Sequence, residues 1–367
     1  MSYFIGLMSG TSMDAVDAAL VDFSADVPHL IAHHSHAIPS NISETLNSVI
    51  SQTTQDLRIL GSLDVQLGQL FAEAALALLD KKGISTNEVT AIGSHGQTIF
   101  HAPEQKTPFT IQIGDPSTIA EISGITTVAD FRSRDIAAGG QGAPLVPAFH
   151  NQVFRSNKKS RIILNIGGIA NVTVLPARDK QPILGFDTGP GNTLMDNWAA
   201  KHLGVPYDAD GDWAKGGIVN KKLLDAWLND TFFAQPPPKS TGRERFNLGW
   251  LDTYNINDSP RNIQATLCQL TVENIANAIN DYAQIGQEIY VCGGGSHNSH
   301  LMAALKKRLS PMALHTTEEL GTPPDWVEAI AFAWLAKQTI EGLPGNLPEA
   351  TGAKHPAVLG GIYLAGR

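Results

Sequence analysis

Short apolar runs alternate with amphipathic windows along the chain, which is the pattern of an α/β protein. Residues 3–8 are apolar, residues 9–12 are turn-like, and residues 14–23 interleave apolar with acidic positions, so a β-hairpin is predicted at the start. The window 63–79 repeats Leu, Ala and Phe at steps of three and four residues, which predicts an amphipathic helix ended by Gly83. Further elements predicted in this block are strands at residues 89–93, 109–113 and 126–129 and a helix opening at Asp115.

A segment rich in glycine and alanine, residues 132–147, separates this block from a second one in which the pattern restarts. The elements predicted there are strands at residues 162–166, 169–175, 183–186 and 288–292, and helices from Asn192, from Gly217, over 263–282 and over 326–340. We therefore predict two domains, residues 1–135 and residues 136–367, with the C-terminal tail joined to the first domain.

Composition narrows the classes of partner and compartment. The 367 residues are 43% hydrophobic and 17% charged, as in a folded chain, and carry a formal net charge of -9. That charge disfavours nucleic acid and anionic membrane surfaces, since both require a basic face. Cys268 and Cys292 are too few for a disulfide framework, and the apolar run 329–336 is too short to cross a bilayer. We expect a cytoplasmic protein that binds neither nucleic acid nor membrane.

Three glycine-containing turns, each directly after an apolar strand, are the candidate chemistry. They lie at residues 9–12, 185–192 and 293–296, and such turns can point backbone amides at an anion. The chain has no GxxxxGK[ST] motif, so a nucleoside triphosphate would not be held by a P-loop. Asp14 and Asp187 accompany two of the turns; a carboxylate there could serve phosphoryl transfer, or simply cap a helix or a turn.

The residues that carry chemistry also resemble a known family. The resemblance is to anhydro-N-acetylmuramic acid kinases and covers essentially the whole chain. Its motifs are Gly6 to Asp17, Gly93 to Thr98, Asp130 to Arg132 with Gly139 to Pro144, Gly185 to Asn192, and Glu328 to Leu335.

The resemblance implies an α/β fold of the actin-like ATPase class, with two domains, each built on a ribonuclease H-like core. It places the active site in the interdomain cleft and implies a homodimer. It also implies a kinase of peptidoglycan recycling and amino-sugar catabolism. The reaction converts 1,6-anhydro-N-acetylmuramic acid, ATP and water into N-acetylmuramic acid 6-phosphate and ADP.

Site residues follow from the resemblance by position. Asp187 matches the catalytic base, and Mg²⁺ is expected at Asp14 and Asp187 through water. The expected sugar-binding residues are His95, Gln97, Asp115, Arg132 and Glu328. The expected ATP- and phosphate-binding residues are Gly10, Thr11, Ser12, Met13, Asp14, Ala15, Val16, Asp17, Asn165, Gly167, Gly168, Gly189, Gly191, Asn192, Gly293 and Gly294.

Arg132 suits a lactyl carboxylate, because a guanidinium fork matches a carboxylate; the alternative is a solvated ion pair with Asp130 or Asp135. Glu328 would be costly to bury unless something binds it, but acidic residues are also favoured at a helix N-terminus. At Ala15 the family commonly has glycine. If that position required a positive φ, nucleotide affinity would fall, and activity is expected to persist.

Histidines outside these motifs are weaker candidates. Residues 33–36 contain three histidines, but no carboxylate or cysteine lies at ligand spacing, so a solvated face is favoured over a metal site. His297 and His300 follow the third glycine turn and are expected to line or cap it.

Three alternatives to the sugar kinase stay open at this point. One is a kinase of the same superfamily with another acceptor, such as a hexose or a carboxylate. Another is a nucleotide-driven conformational ATPase, for which no residues remain to form a partner-binding domain. A carbohydrate-binding module is the third, and it gives no reason for phosphate-binding turns.

Overall fold

The computed structural model describes residues 2–10, 13–25, 27–51, 54–177 and 181–366. Two compact units divide the chain. The first comprises Met1–Val153 with Trp326–Arg367, and the second comprises Phe154–Asp325.

Thirteen β-strands occur in the described residues. They are β1 Tyr3–Met8, β2 Ala15–Asp22, β3 His29–Ala37, β4 Val89–Ser94, β5 Gln97–Ala102, β6 Phe109–Ile113, β7 Thr127–Ala129, β8 Arg161–Ile166, β9 Ile169–Leu175, β10 Leu184–Pro190, β11 Glu288–Cys292, β12 Ala313–Thr316 and β13 Gly361–Tyr363.

The same residues form thirteen α-helices. They are α1 Ser40–Ser51, α2 Leu57–Lys82, α3 Pro116–Ser123, α4 Phe131–Ala137, α5 Val146–Phe154, α6 Thr193–Leu203, α7 Asp212–Lys215, α8 Lys221–Leu228, α9 Leu248–Asp252, α10 Pro260–Tyr282, α11 Ser299–Leu309, α12 Val327–Ile340 and α13 Pro348–Thr351.

The main sheets of the two units share the order of five strands, and the sheet of the first unit has β13 as a sixth strand. In the first unit the order is β13-β7-β4-β1-β2-β3, and in the second it is β10-β9-β8-β11-β12. In each sheet the first three strands form an antiparallel meander, and the next two run parallel to the first strand of that meander. The repeated α/β plan confirms the predicted fold class, two domains with ribonuclease H-like cores.

The predicted domain boundary at residues 135 and 136 lies inside the first unit. Asp135 is fully buried, and its carboxylate accepts hydrogen bonds from the Gly142 amide (2.8 Å), the Asn346 side chain (2.7 Å) and the Thr351 hydroxyl (2.8 Å). A charge buried this deeply requires such partners, and they tie the glycine-rich segment to the C-terminal residues. The division therefore comes later, between Val153 and Phe154, and again at Trp326.

Helix α12 packs against the first sheet where two glycines lie side by side. Gly6 of β1 pairs with Gly93 of β4. A methyl group at Gly6 would lie 1.7 Å from the Ala329 carbonyl oxygen, and one at Gly93 would lie 2.0 Å from that of Phe332. The absence of side chains at these two positions thus allows the helix backbone to reach the sheet.

Helix α2 is long and apolar enough to span a membrane by length and composition, the one such helix in the described part of the chain. However, 56% of its most apolar window is buried inside the protein. Leu67, Phe71 and Leu78 of this helix belong to the core of the first unit. We therefore assign α2 as a core helix.

His150 of α5 is buried, and burial lowers the pKa of its imidazole to about 3. In the unfolded chain the pKa is about 6.5. Below that pH the unfolded state binds a proton that the folded state does not, so the free energy of unfolding should fall by about 1.4 kcal/mol per pH unit. Between pH 7 and pH 5, we expect the free energy of unfolding to fall by about 2 kcal/mol less in His150→Gln than in the wild type.

Urea unfolding at the two pH values measures this difference. His355→Gln, at an exposed position, is the matched control. An acid-induced loss of stability that is equal in His150→Gln and the wild type would contradict the assignment.

Candidate functional site

A row of polar side chains crosses the sheet of the second unit. Asn165 of β8 is paired with Asn171 of β9, and Asn171 is paired with Asp187 of β10. Directly paired residues on neighbouring strands lie on the same face of a sheet. The pairing register shifts between Asp187 and Gly189, which is a β-bulge, and bulges often re-aim side chains beside active sites.

The turns that follow β8 and β10 are hydrogen-bonded to each other. The Gly191 amide donates to the Gly168 carbonyl at 2.9 Å, and the Asn192 amide donates to the Gly167 carbonyl at 2.8 Å. A methyl group at Gly191 would lie 2.4 Å from the Gly167 carbonyl oxygen, so this approach requires glycine. The Gly167–Gly168 turn and the predicted turn at residues 185–192 are therefore one structural feature.

The other glycine turn predicted in this unit, residues 293–296, lies beside them. Gly293 has a φ of +80°, and a methyl group there would lie 2.3 Å from the Asn165 side-chain oxygen, whereas Gly294 has open space around it. The Gly191, Asn192 and Gly293 amides already donate to protein carbonyls, so an anion would be bound by other backbone amides of these glycine turns. This arrangement fits the phosphate groups of a nucleotide.

Asp187 is held by a segment far away in the sequence. Its Oδ2 atom accepts a hydrogen bond from the Thr241 amide at 2.9 Å, and its own amide donates to the Lys239 carbonyl at 3.0 Å. The Lys239 side chain is buried, which lowers the pKa of its ammonium group, while the nearby Asp187 and Asp281 act to raise it. Sequence reasoning missed both Lys239 and Thr241.

In the first unit, the predicted phosphate loop begins at the end of β1. Gly10 accepts a hydrogen bond from the Met13 amide at 3.3 Å. Met13 has a φ of +54° and a buried side chain, and Asp14 beside it is exposed. Thr11 and Ser12, which the resemblance also assigns to this loop, lie outside the described residues.

Three residues assigned to that loop belong instead to a strand. Ala15, Val16 and Asp17 open β2, and the Val16 side chain is fully buried in the core. The extended backbone of Ala15 shows that this position needs no positive φ, so the conformational reason for glycine there does not apply. A ligand-facing loop can include Gly10 and Asp14 but not the Val16 side chain.

His95 and Arg132 contact each other directly. The Arg132 Nε and Nη2 atoms lie 3.2 Å and 2.9 Å from His95 Nε2, and Nη1 donates to the Gly142 carbonyl at 2.8 Å. Burial and the Arg132 guanidinium hold the pKa of His95 well below its usual range. A neutral imidazole therefore accepts from the guanidinium and fixes its orientation.

Gln97 lies two residues after His95 in the chain, and Glu328 lies on α12. The Ser9 hydroxyl, next to Gly10, donates to Gln97 Oε1 at 2.8 Å in a buried position. Glu328 lies one helical turn before Phe332, whose ring is 4.7 Å from the His95 ring. In the first unit, hydrogen bonds therefore join His95 to Arg132 and Gln97 to Ser9, and Phe332 links His95 to the helix that carries Glu328.

Asp115 has a different local role. Its carboxylate accepts from the Ser117 amide at 3.2 Å and from the Thr118 amide at 2.8 Å, which makes it the N-cap of α3. Both carboxylate oxygens are used in this way, so the geometry of Asp115 is explained by helix capping.

His101 is a polar residue of this region that the sequence analysis did not select. Its Nδ1 atom lies 3.1 Å from the Thr110 hydroxyl, while its buried Nε2 atom has no partner within the described residues. Burial, with a contribution from Arg132, lowers the pKa of His101 to about 4. It lies four residues beyond Gln97, and that proximity was the sequence signal that could have identified it.

Groups of three or more His, Cys, Asp or Glu residues suited to a metal ion are absent from the described ranges. The histidines of β3 contact protein groups: the His33 ring stacks on Trp326 at 4.3 Å, and His34 Nδ1 lies 2.8 Å from the Lys81 amine. His297 contacts Asp325 at 2.8 Å. Burial raises the pKa of the Cys268 thiol to about 12, so it is not a thiolate ligand.

Comparisons with known proteins agree across the chain. The family model for anhydro-N-acetylmuramic acid kinase matches residues 2–365. A protein of that name from Coxiella burnetii (strain Dugway 5J108-111) is 52% identical over 363 residues, covering 98% of this chain and 97% of the relative. One from Shewanella pealeana is 51% identical over 368 residues, covering 99% of each.

Among solved structures, the activator of 2-hydroxyisocaproyl-CoA dehydratase from Clostridium difficile matches with a TM-score of 0.46 and 13% identity, covering 93% of this chain and 98% of that chain. A likeness at this level supports no conclusion. The family model, in contrast, matches residues 2–365, and the two relatives are more than half identical to this chain. This chain therefore belongs to the anhydro-N-acetylmuramic acid kinase family.

Proposed function

We propose that this protein uses ATP and water to convert 1,6-anhydro-N-acetylmuramic acid into N-acetylmuramic acid 6-phosphate and ADP. This is a step of peptidoglycan recycling and amino-sugar catabolism. The observation that carries the proposal beyond family membership is the position of Asp187. Its carboxylate lies in the polar row of the sheet, beside the glycine turns that fit phosphate groups.

In the mechanism that this arrangement supports, Asp187 accepts a proton from water as the water oxygen bonds to the anomeric carbon. The bond from that carbon to the bridging oxygen breaks, and the bridging oxygen attacks the γ-phosphorus of ATP while ADP leaves. The protein's main contribution is to align these atoms before reaction. Backbone amides of the glycine turns other than those of Gly191 and Gly293, which donate to protein carbonyls, would stabilise charge on the transferred phosphoryl group.

We assign Mg²⁺ to Asp14 and Asp187 through bound water. Carboxylate oxygens are the ligand class that Mg²⁺ takes together with phosphate, and it commonly retains several waters. Asp14 is exposed and Asp187 is partly exposed, so each carboxylate by itself is accessible to a water molecule. When bound, the ion would neutralise negative charge on the phosphates.

Sugar recognition is assigned to the first unit, with His95, Gln97, Arg132 and Glu328 as direct or supporting groups. Arg132 is the residue for the lactyl carboxylate, because its guanidinium is oriented by His95 and the Gly142 carbonyl. Asp115 is retained as a candidate that acts by capping α3 near this region.

We further propose that the protein is a cytoplasmic homodimer. Sedimentation equilibrium of the purified chain measures the mass of the assembly, and cell fractionation measures its location. A monomer at micromolar concentration would contradict the first assignment.

The test of the proposed function is ADP release from the full-length protein with Mg-ATP, with and without 1,6-anhydro-N-acetylmuramic acid, in ¹⁸O-labelled water. We expect ADP only with the sugar and one ¹⁸O atom at the anomeric hydroxyl of the product. ADP release with a different sugar or carboxylate alone would indicate another acceptor. Release that is independent of any sugar would indicate a conformational ATPase.

Arg132→Lys should raise the KM for 1,6-anhydro-N-acetylmuramic acid by about tenfold or more, because lysine cannot form the fork that a carboxylate matches. The KM for 1,6-anhydro-N-acetylglucosamine, which lacks the lactyl group, should change little. Steady-state kinetics on both sugars measure this loss of discrimination.

Arg134→Lys is the matched control, because Arg134 is exposed on the same helix. Equal effects of Arg132→Lys on the two sugars would show that Arg132 does not bind the lactyl carboxylate.

A further inference from the structure

The segment of residues 236–241 begins with three prolines, a composition typical of a loop. In the structure two backbone groups of this segment form hydrogen bonds with Asp187, one as the acceptor and the other as the donor. The Lys239 carbonyl accepts from the Asp187 amide at 3.0 Å, and the Thr241 amide donates to Asp187 Oδ2 at 2.9 Å. One bond holds the Asp187 backbone, and the other holds one oxygen of its carboxylate.

The segment is itself anchored through the side chain of Lys239. This residue is 6% exposed, and its ammonium donates to the Phe232 and Phe233 carbonyls, both at 3.3 Å. The ammonium also lies 4.7 Å from the centre of the Phe232 ring, within the range of a cation–π interaction. A buried lysine is costly unless its charge is compensated, so these contacts fix where the segment can lie.

The aromatic residues under Lys239 are held in turn. The Phe232 ring packs edge-on against Phe246 with a centroid distance of 5.7 Å, and both side chains are buried. Asp230 accepts from the Phe232 amide at 2.9 Å and from the Arg245 side chain at 2.6 Å. The anchor therefore rests on a packed part of the second unit rather than on an isolated loop.

The geometry points to residues 239–241 as a clamp that positions Asp187 for proton transfer, with the Thr241 amide and Lys239 as its positioning groups. This inference rests on the proposed function, in which Asp187 is the base. An aspartate carboxylate rotates broadly about its last torsion angle. A donor on Oδ2 restricts that rotation and so fixes the direction of Oδ1. This matters because a small misplacement of a catalytic group can cost about 10²-fold in rate.

The clamp is tested with a pair of variants of the full-length protein. Thr241→Pro removes the amide donor, and Thr241→Ala keeps the amide while removing the side chain. We expect kcat of Thr241→Pro to be on the order of 10²-fold below that of Thr241→Ala. The KM values for ATP and sugar should differ by less than about threefold between them, because the proposed role of the clamp is to position Asp187 and not to bind either ligand. Equal kcat values in two folded variants would overturn the proposal.

Lys239→Met provides a second measurement if Thr241→Pro does not fold. It keeps the length of the side chain and removes the charge that holds the Phe232 and Phe233 carbonyls. We expect kcat to fall by about tenfold or more at a temperature where the variant is fully folded. Lys222→Met, at an exposed position of α8, should leave kcat unchanged. A folded Lys239→Met with wild-type kcat would overturn the clamp.

The proposed function is tested separately from the clamp. If the proposed function is wrong, the wild-type protein will show no sugar-dependent turnover. The clamp is then judged by the ¹³C resonance of the Asp187 side-chain carboxylate, assigned by its absence in Asp187→Asn. We expect that resonance to differ between Thr241→Pro and Thr241→Ala, or between Lys239→Met and the wild type. Identical resonances would overturn the clamp whatever the reaction.

Discussion

Asp187→Asn should lower kcat for the sugar-dependent release of ADP by about 10³-fold, in line with the usual contribution of a general base. The amide of asparagine cannot take a proton from water at neutral pH. Its carbonyl oxygen can still accept from the Thr241 amide, which now donates to Asp187 Oδ2 at 2.9 Å, so the local geometry should survive. Steady-state kinetics measure the loss, and binding of a non-hydrolysable ATP analogue should stay within about threefold of wild type.

Asp225→Asn is the matched control, because Asp225 is exposed on α8 of the same unit. It should have wild-type kcat. Retention of activity in Asp187→Asn would remove this residue from the role of base. Loss of analogue binding together with a lower melting temperature would indicate a structural role for the carboxylate.

Local sequence signals predicted many element boundaries of the fold. Gly83 ends α2 with a φ of 65°, and the long helix predicted over residues 263–282 is observed as α10, which begins at Pro260 after the Ser259 N-cap. The helix predicted from Gly217 is observed as α8, but its predicted start is wrong, because α8 begins only at Lys221. The preceding Asn220 side chain accepts from the Leu223 amide at 3.2 Å and so caps that later start.

Contacts between distant residues were beyond this kind of reasoning. The buried Asp135 bonds to Thr351, 216 residues away, and that contact places the glycine-rich segment with the C-terminal residues. A turn-rich composition indicates where a chain can cross between domains, but it does not show which unit the segment packs against. The predicted boundary therefore fell too early.

The candidate site shows the same limit. The glycine turns could be proposed from the sequence because their residue types carry the chemistry, and the resemblance assigned Asp187 its role. Thr241 contributes a backbone amide, which any residue except proline possesses, and it lies 54 residues from Asp187. Asn171 was also overlooked, and only its pairing with Asp187 across β9 and β10 identifies it.

Gly6→Ala should lower the free energy of unfolding by about 3 kcal/mol or more, at the upper end of the range for overpacking a core. The added methyl group would lie 1.7 Å from the Ala329 carbonyl oxygen and 2.7 Å from the Ala333 nitrogen, both backbone atoms of α12. A side chain could rotate away, but a helix backbone can only shift as a whole. Chemical denaturation followed by circular dichroism measures the change.

The control is a second Gly→Ala substitution for which we expect the opposite change in the free energy of unfolding. Gly61 lies in α2, is exposed, and has no atom within 4 Å of where a methyl group would be. Gly61→Ala should therefore raise the free energy of unfolding by about 0.5–1 kcal/mol, because alanine loses less backbone entropy than glycine in a helix. Wild-type stability in Gly6→Ala would show that α12 does not contact the sheet as closely as described. Opposite shifts in the two variants would attribute the loss to close packing rather than to glycine replacement itself.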